Sequence, residues 1–389
     1  SRTNFSDRIF KRIINMRIYD YIVIGSGLAG LTVATKISQE TSNILLIESE
    51  NVLGGANKSA MLKGLSTENG LRFLPGSPVV KKALRSLEDL LGLKLIRTKK
   101  ENAIETYDAR GFKPVVGFGD HAPEFYSQIS YFLNANELEL TLPVHQIVQL
   151  LAEKYQGETM TRSFVTGFTF EEGRVSQVTV NGTKQFSANN FIFAGNIKDL
   201  SNLISDDILS VRAKTKLKKE NNWMAVCLDL VHEYETEDKI ILKDNLFLLD
   251  GTTNDSIGPC VGRFMNPIKD DQGLKQLSQW VGFIDADTAE ETENIAEVIK
   301  KMKRQIKRSF PEAFDCIKAE RLFVSSSLSA GELKLNSNGT LAKTENLWIA
   351  SGQVNQQVNL AGALLQAQFT LASIGFGAFD IDINSAEAL

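Results

Sequence analysis

The chain has 389 residues, 43% of them hydrophobic, and a formal net charge of -4. That length suits about two domains, and that apolar fraction supports a large buried core and argues against a disordered chain. The slightly acidic balance lacks the basic surface that phosphate backbones require, so nucleic acid is not expected as a partner.

Residues 1–16, "SRTNFSDRIFKRIINM", set Arg2, Arg8, Lys11 and Arg12 against Phe5, Ile9, Phe10, Ile13 and Ile14. This basic amphipathic pattern suits a helix lying on a membrane surface. The simpler expectation is a leader or appended extension ahead of a start at Met16. Tyr21 to Ile24 then reads as a buried parallel strand, Leu28 to Gln39 as a helix, and Asn43 to Ile47 as a second buried strand. Strand, glycine turn, helix and strand in this order make a βαβ unit.

Ser77, Pro78 and Gly92 have the residue types of an N-cap, a first helical position and a C′ stop, so a helix is expected between them. Further helices are expected near Glu124 to Leu133 and over Leu142 to Tyr155. From Arg162 the pattern changes to period two. It reads as strand, Glu-Glu-Gly turn, strand, Asn-Gly turn, strand, strand. Trp223 to Leu230 is another strand, and several short strands are expected between Lys239 and Phe283. Thr288 to Phe310 reads as a long charged helix stopped by Pro311, and Arg321 to Ser325 and Leu347 to Ala350 as strands. Leu360 to Phe379 is apolar or small on nearly every face, which predicts a central buried helix. Gln366, Gln368, Thr370 and Ser373 interrupt it too often for a membrane span. No proline- or glycine-rich linker divides the chain, so two domains would interleave.

Cys227, Cys260 and Cys316 are odd in number, far apart and without a CxxC spacing. Neither a disulfide framework nor a zinc ribbon is expected, and a reducing, cytoplasmic setting fits. His121, His145 and His232 lack HxH or HxxxH spacing, so no metal is expected.

Gly25-Ser26-Gly27-Leu28-Ala29-Gly30 is a GxGxxG turn that follows a strand and opens a helix, with an acid at Glu48 after the next strand. In that context Gly25 serves a tight turn, Gly27 a close approach to a pyrophosphate, and Gly30 the packing of helix on strand. The helix N-terminus favours phosphate, and Glu48 can accept from ribose hydroxyls. These features allow either FAD or NAD.

Gly25 through Leu31, with Glu48 and then Gly54-Gly55, resembles the FAD-binding oxidoreductases of the amine oxidase, phytoene desaturase and protoporphyrinogen oxidase superfamily. The resemblance implies noncovalent FAD, with Glu48 and Ser49 near its ribose and Gly54-Gly55 letting the chain pass its ribityl and pyrophosphate portion. Two later stretches are similar to the same family. "FVTGFTFEEGRVSQVTVNG" implies that Val165 offers its backbone to the adenine. "LWIASGQVNQQVNLAGALLQA" places Gly352 and Gln353 where the family has glycine and an acid. Leu360, Ala361 and Gly362 then open a helix beneath the flavin. Gln353 departs from the usual acid, and no cysteine after Cys316 could carry a cysteinyl flavin. Gly70, Leu71, Arg72 and Phe73 occupy the family segment that passes the isoalloxazine, where Arg72 would balance a substrate or flavin anion.

The implied fold is α/β, a Rossmann-like FAD-binding domain interleaved with a smaller α+β substrate domain that contains a mixed or antiparallel sheet. Residues 17–75, 158–205 and 340–380 would form the first, and 76–157 and 206–339 the second. The implied reaction removes hydride from a C–N or C–C bond of a mostly apolar small molecule, with oxygen or another acceptor taking the electrons. No motif singles out a catalytic residue. Lys214, Lys216, Lys218 and Lys219 read as a solvated face, Asp285/Asp287 and Asp380/Asp382 as solvated pairs, and His121 as a candidate substrate contact. A non-redox flavoenzyme resembling UDP-galactopyranose mutase is an alternative, although "LRFLPGS" lacks that family's histidine. A binding protein resembling the GDP-dissociation inhibitors is another, although the intact glycine set argues against it.

Overall fold

A computed structural model describes residues 17–70, 72–97, 104–108, 111–118, 122–130, 133, 137–220, 222–242, 245–249, 258–271, 273–326, 328–355, 357 and 359–377. The βαβ unit is β1 (Ile18–Ile24), α1 (Leu28–Ser38) and β2 (Ile44–Ile47). A hairpin, β3 (Ser59–Leu62) and β4 (Leu65–Glu68), leads to α2 (Pro78–Leu91). A second hairpin, β5 (Glu105–Asp108) and β6 (Gly111–Pro114), precedes α3 (Val144–Lys154) and β7 (Glu158–Met160). The meander is β8 (Val165–Glu171), β9 (Arg174–Val180) and β10 (Lys184–Phe193), followed by α4 (Ile197–Leu203) and α5 (Val211–Lys219). Then come β11 (Trp223–Tyr234), β12 (Phe247–Leu249), β13 (Cys260–Phe264) and β14 (Gly273–Asp285). The chain closes with α6 (Thr292–Ser309), α7 (Pro311–Asp315), β15 (Ile317–Val324), β16 (Leu347–Ile349) and α8 (Asn359–Ser373).

The first sheet has seven strands in the order β8-β9-β10-β1-β2-β7, with β16 also beside β10. β16, β10, β1, β2 and β7 run parallel, and their inner residues Ile22, Val23, Leu45, Leu46 and Ile192 are fully buried. Two covered faces account for the unbroken apolar runs. The expected final pair of meander strands is one strand. Lys184–Ser187 of β10 pairs antiparallel with β9, and Ser187–Phe193 pairs parallel with β1. A change of partner along a single extended run leaves no turn signal for a break.

The second sheet has eight strands, with the order β15-β11-β14-β13-β12-β5-β6 and a short strand, Ile268–Asp270, also paired with β14. β11 extends to Tyr234, past the expected end, because β14 pairs with it along its whole length. Alternate residues divide between two cores. Ala225 and Cys227 face one with Trp223, while Val226, Leu228 and Leu230 face the other under α6. The mixed α/β architecture is thus the expected one, two sheets drawn alternately from one chain.

Several boundaries differ from expectation. α2 has the predicted ends: Ser77 Oγ accepts from the Val80 amide, Pro78 is the first residue, and Gly92 stops it at φ 71°. Glu124–Ile129 is a 3₁₀ helix rather than an α-helix. Pro311 ends α6 but also begins α7, since its ring suits a first helical turn. α2 and α3 lie within the span expected for the second unit, yet α2 packs on α8 and α3 on α1 in one core with the first sheet. Their apolar stripes, including Val79, Leu84, Val148 and Leu151, match the covered face of the first sheet. α8 is buried on nearly all sides between α1 and α2, as its composition requires. No helix among the described residues is long and apolar enough to cross a membrane. Residues 1–16 and the Asp380/Asp382 pair lie outside the described residues.

His232 on β11 is fully buried in a one-way hydrogen-bond chain. Trp280 Nε1 donates to Ser278 Oγ at 2.9 Å, Ser278 Oγ to His232 Nε2 at 2.7 Å, and His232 Nδ1 to the Ala313 carbonyl at 2.7 Å. This arrangement suits a neutral ring, and burial pushes the imidazole down from 6.5 to about 4 against the bond to Ala313. A lowered histidine pKa means that the unfolded chain binds the extra proton first. Its stabilising contribution is therefore complete above about pH 6.5 and is lost as the pH falls toward 4. Denaturant unfolding at pH 7 and pH 5 should show a loss of about 2 kcal/mol attributable to His232. That component should vanish in His232→Gln.

Candidate functional site

The site forms where the C-terminal ends of β1, β2, β10 and β16 meet, the usual binding edge of an open α/β sheet. Gly25 turns at φ 99°, and a Cβ there would sit 3.0 Å from the backbone of Ala194 at the end of β10. Gly30 is tighter still, since a Cβ would lie 1.9 Å from the Gly25 carbonyl oxygen. Gly27 is the opposite case, with open space where its side chain would be. It is the N-cap of α1, no side chain caps that end, and the first turn carries no acid. Leu28 and Ala29 are buried beneath it, so the turn presents backbone only.

Glu48 is 5% exposed and held on both oxygens. Oε2 accepts from the Ser26 amide at 2.9 Å and from Ser26 Oγ, and Oε1 accepts from the Glu50 amide at 2.8 Å and Ser49 Oγ at 3.1 Å. Burial would raise this carboxyl, but those four donors outweigh it and its pKa is lowered. Ser26 also receives the Gly54 amide, at 3.0 Å on its carbonyl and 3.1 Å on its hydroxyl. The glycine pair thereby folds onto the first turn. Gly54 and Gly55 have φ 123° and 55°, and a Cβ on Gly55 would approach Gly27 Cα to 3.0 Å. Gly55 is needed there because two backbones touch, and Gly54 because its φ of 123° is one that side chains disfavour.

The remaining expected residues are placed unevenly around this turn. The Ser163 amide bonds the Glu48 carbonyl at 2.9 Å, and Val165 follows as the first residue of β8, half-buried and paired with Val180. Gly352 packs on α8, where a Cβ would lie 2.6 Å from the Ala363 amide nitrogen. Gly362 lets α8 start against the Gln357 carbonyl, and Leu360 and Ala361 are buried beside it. Gln353 Oε1 accepts from the Ile197 amide at 2.7 Å at the start of α4. Asp285 accepts from the amides of Asp287 and Thr288, which makes it a turn residue. Lys214, Lys216 and Lys218 bond Asp206, Glu220 and Asn202 along α5. Leu71 and His121 lie outside the described residues.

A cavity with about 580 Å³ of free space lies between this edge and the second sheet. Ala56, Asn69, Gly70, Arg72 and Asn359 line it. Trp223, Cys227, Val281, Phe283, Phe323 and Ser325, on or just past β11, β14 and β15, line it from the second sheet. Trp223 is fixed by a 2.8 Å bond from Nε1 to Gln128 Oε1. Arg72 is the one charged residue among the described lining residues. Its Nη2 donates to the Ala56 carbonyl at 2.8 Å, while its Nε is buried without a partner. Burial lowers the guanidinium pKa, opposed by the charges of Glu68 and Asp229. Burial also pushes the Cys227 thiol up to about 12, which keeps it protonated and unreactive. Phe73 is buried in the apolar cluster with Tyr126 and Trp223. Arg72 also borders an adjoining groove of about 1110 Å³, where Arg263 pairs with Glu137 at 2.5 Å and His145 with Glu68.

The aromatic wall was not predicted residue by residue. Period-two alternation in β11 identifies two faces, but only the assembled sheets show which face meets the glycine edge. No group of histidines, cysteines and acids suited to a metal occurs among the described residues.

The family model of an NAD(P)-binding Rossmann-like domain matches residues 23–87. No curated protein matches the sequence. An oxidoreductase from Methanosarcina mazei is similar in structure, with 13% identity, a TM-score of 0.65 and coverage of 89% of this chain and 98% of its own. Cyclohexylamine oxidase from Brevibacterium oxydans has 12% identity, a TM-score of 0.62 and coverage of 92% and 98%. Putrescine oxidase bound to putrescine has 14% identity, a TM-score of 0.61 and the same two coverages, 92% and 98%. The chain has the amine-oxidase fold.

Within that fold the three turn glycines separate by their surroundings. Gly30→Ala should destabilise by about 1–3 kcal/mol or more, because backbone cannot yield to the new methyl group. Gly27→Ala should stay within about 0.5 kcal/mol of wild type, since its backbone is extended and its Cβ space is open. Paired denaturant titrations check both expectations, and the order of the two variants is the decisive result.

Proposed function

We propose that this protein is an FAD-dependent oxidoreductase that takes hydride from a C–N or C–C bond of a mostly apolar small molecule. The observation that carries the reading is the cavity. It places the loop after Gly54-Gly55 and the start of α8 opposite an aromatic wall. Support comes from the open space at Gly27 and the uncapped N-terminus of α1, which suit a pyrophosphate. Gly25, Gly27 and Gly30 would hold that group. Glu48 would hold the ribose, a hydroxyl of which can replace Ser49 Oγ, the longest of its hydrogen bonds. The backbone of Val165 would meet the adenine, and Gly70, Arg72 and the first turn of α8 the flavin ring. FAD, when bound, supplies the hydride acceptor.

The chain's own residues then bind, orient and exclude water. Trp223, Phe283 and Phe323 bury apolar substrate surface, which strengthens each polar contact left inside. The lining offers Arg72 and no described carboxylate. A cationic amine would lose its hydration beside a like charge, so the substrate is neutral or anionic at the reacting pH. The solved relatives include one named for putrescine, and this lining differs from what such a dication needs. Oxygen or another acceptor takes the electrons. We place the protein in a reducing, cytoplasmic setting, because its three cysteines are free and two are buried.

The purified protein should show the visible absorption band of oxidised flavin, or gain it when FAD is added. Anaerobic bleaching of that band by a neutral or acidic apolar substrate is the expected positive result. A protein that neither carries nor takes up FAD would sink the reading. Arg72→Leu should raise KM for a substrate acid by roughly tenfold to a hundredfold, the worth of one charge-assisted hydrogen bond, with little change for a neutral substrate.

A further inference from the structure

A polar strap crosses the rim of the cavity and joins its two halves. Asp229 on β11 is 1% exposed. Its Oδ2 accepts from Arg321 Nη1 at 3.0 Å and Thr67 Oγ1 at 2.7 Å, and its Oδ1 accepts from Gln279 Nε2 at 3.2 Å. Arg321 on β15 donates its other arm, Nη2, to Asn69 Oδ1. Asn69 Nδ2 and Arg72 Nη2 then both donate to the Ala56 carbonyl, at 3.3 and 2.8 Å. Ala56 directly follows the glycine pair that packs on Gly27. The chain of bonds therefore runs from the second sheet to the loop that touches the first turn.

A buried carboxylate needs a charged partner, and one arm of Arg321 meets that need. Stability of the ion pair does not require the second arm. That arm reaches Asn69, a residue of the cavity lining. A guanidinium can serve both partners at once because its donors form a rigid fork.

We propose that Arg321 is a positioning residue, which through Asn69 and Ala56 sets the Gly54–Asn57 loop and Arg72 against the aromatic wall. Its consequence for cofactor binding rests on the FAD reading, whereas the strap itself does not.

The test compares Asn69→Ala and Arg321→Lys with the charge-free double variant Asp229→Asn/Arg321→Met. Hydrogen exchange of amides 54–57 and 66–70 is measured in the protein without FAD, and FAD affinity by flavin fluorescence. Both segments should exchange faster in all three variants, and FAD should bind roughly tenfold more weakly, as loss of a coupled contact predicts. The melting temperature of Asn69→Ala should hold near wild type, because Asp229 keeps Arg321. Wild-type exchange and wild-type FAD affinity in Asn69→Ala and Arg321→Lys would overturn the positioning role. Failure of the wild-type protein to bind FAD would instead overturn the functional reading, and the exchange rates would still decide the strap.

Discussion

The contact between Ser26 and Glu48 is the constraint on which the site depends. A buried carboxylate must be satisfied by donors, and the amide and hydroxyl of the glycine turn supply two of them. That requirement ties the end of β2 to the start of α1. The same serine receives the Gly54 amide, so the loop after β2 has one place to go. The Glu48 carbonyl in turn receives Ser163, which directs the chain from β7 toward the meander. Four separate segments meet at one ion and its serine. Residues without side chains at 25, 30 and 55 are the steric consequence, because the backbones approach one another there.

The second dependence is the shared strand β10. Its first half belongs to an antiparallel meander and its second half to the parallel sheet. The turn at Gly25 rests on Ala194 just beyond its end, so the meander and the nucleotide edge are held by one element. The second sheet is coupled by apolar packing of Leu65 and Phe73 and by the polar chain through Asp229 and Arg321. Bonds of that type specify a geometry while contributing modestly to stability. A cavity that must keep two walls in register while remaining open is served by such bonds.

Much of the fold was legible. Apolar runs at Tyr21–Ile24 and Asn43–Ile47 identify parallel strands, because only strands covered on both faces lack polar alternation. Ser77-Pro78 and Gly92 bound α2 by local chemistry that does not depend on its neighbours. The glycine turn, Glu48 and the glycine pair were legible for the same reason, since steric exclusion acts on the residue itself. Partner choice was not. Nothing in Lys184–Phe193 marks the point where β10 exchanges β9 for β1, and nothing in α2 or α3 states which sheet each will cover. Gln353 shows the limit within the site. Its position in a motif implied a cofactor contact, and its Oε1 in addition accepts from the first amide of α4, a group far away in sequence.

The amino-acid sequence by itself determined where the backbone must turn tightly, where it must be buried, and where an anion can meet bare amides. These follow from the size and polarity of single side chains over a few residues. Only the tertiary structure decided which face of β11 looks across at Asn359, that Arg72 is the lone charge among the described residues of the cavity lining, and that Arg321 reaches Asn69 across the rim. Those facts depend on distances between residues as many as 252 positions apart. Such distances are set by how two sheets pack, and no local pattern encodes them.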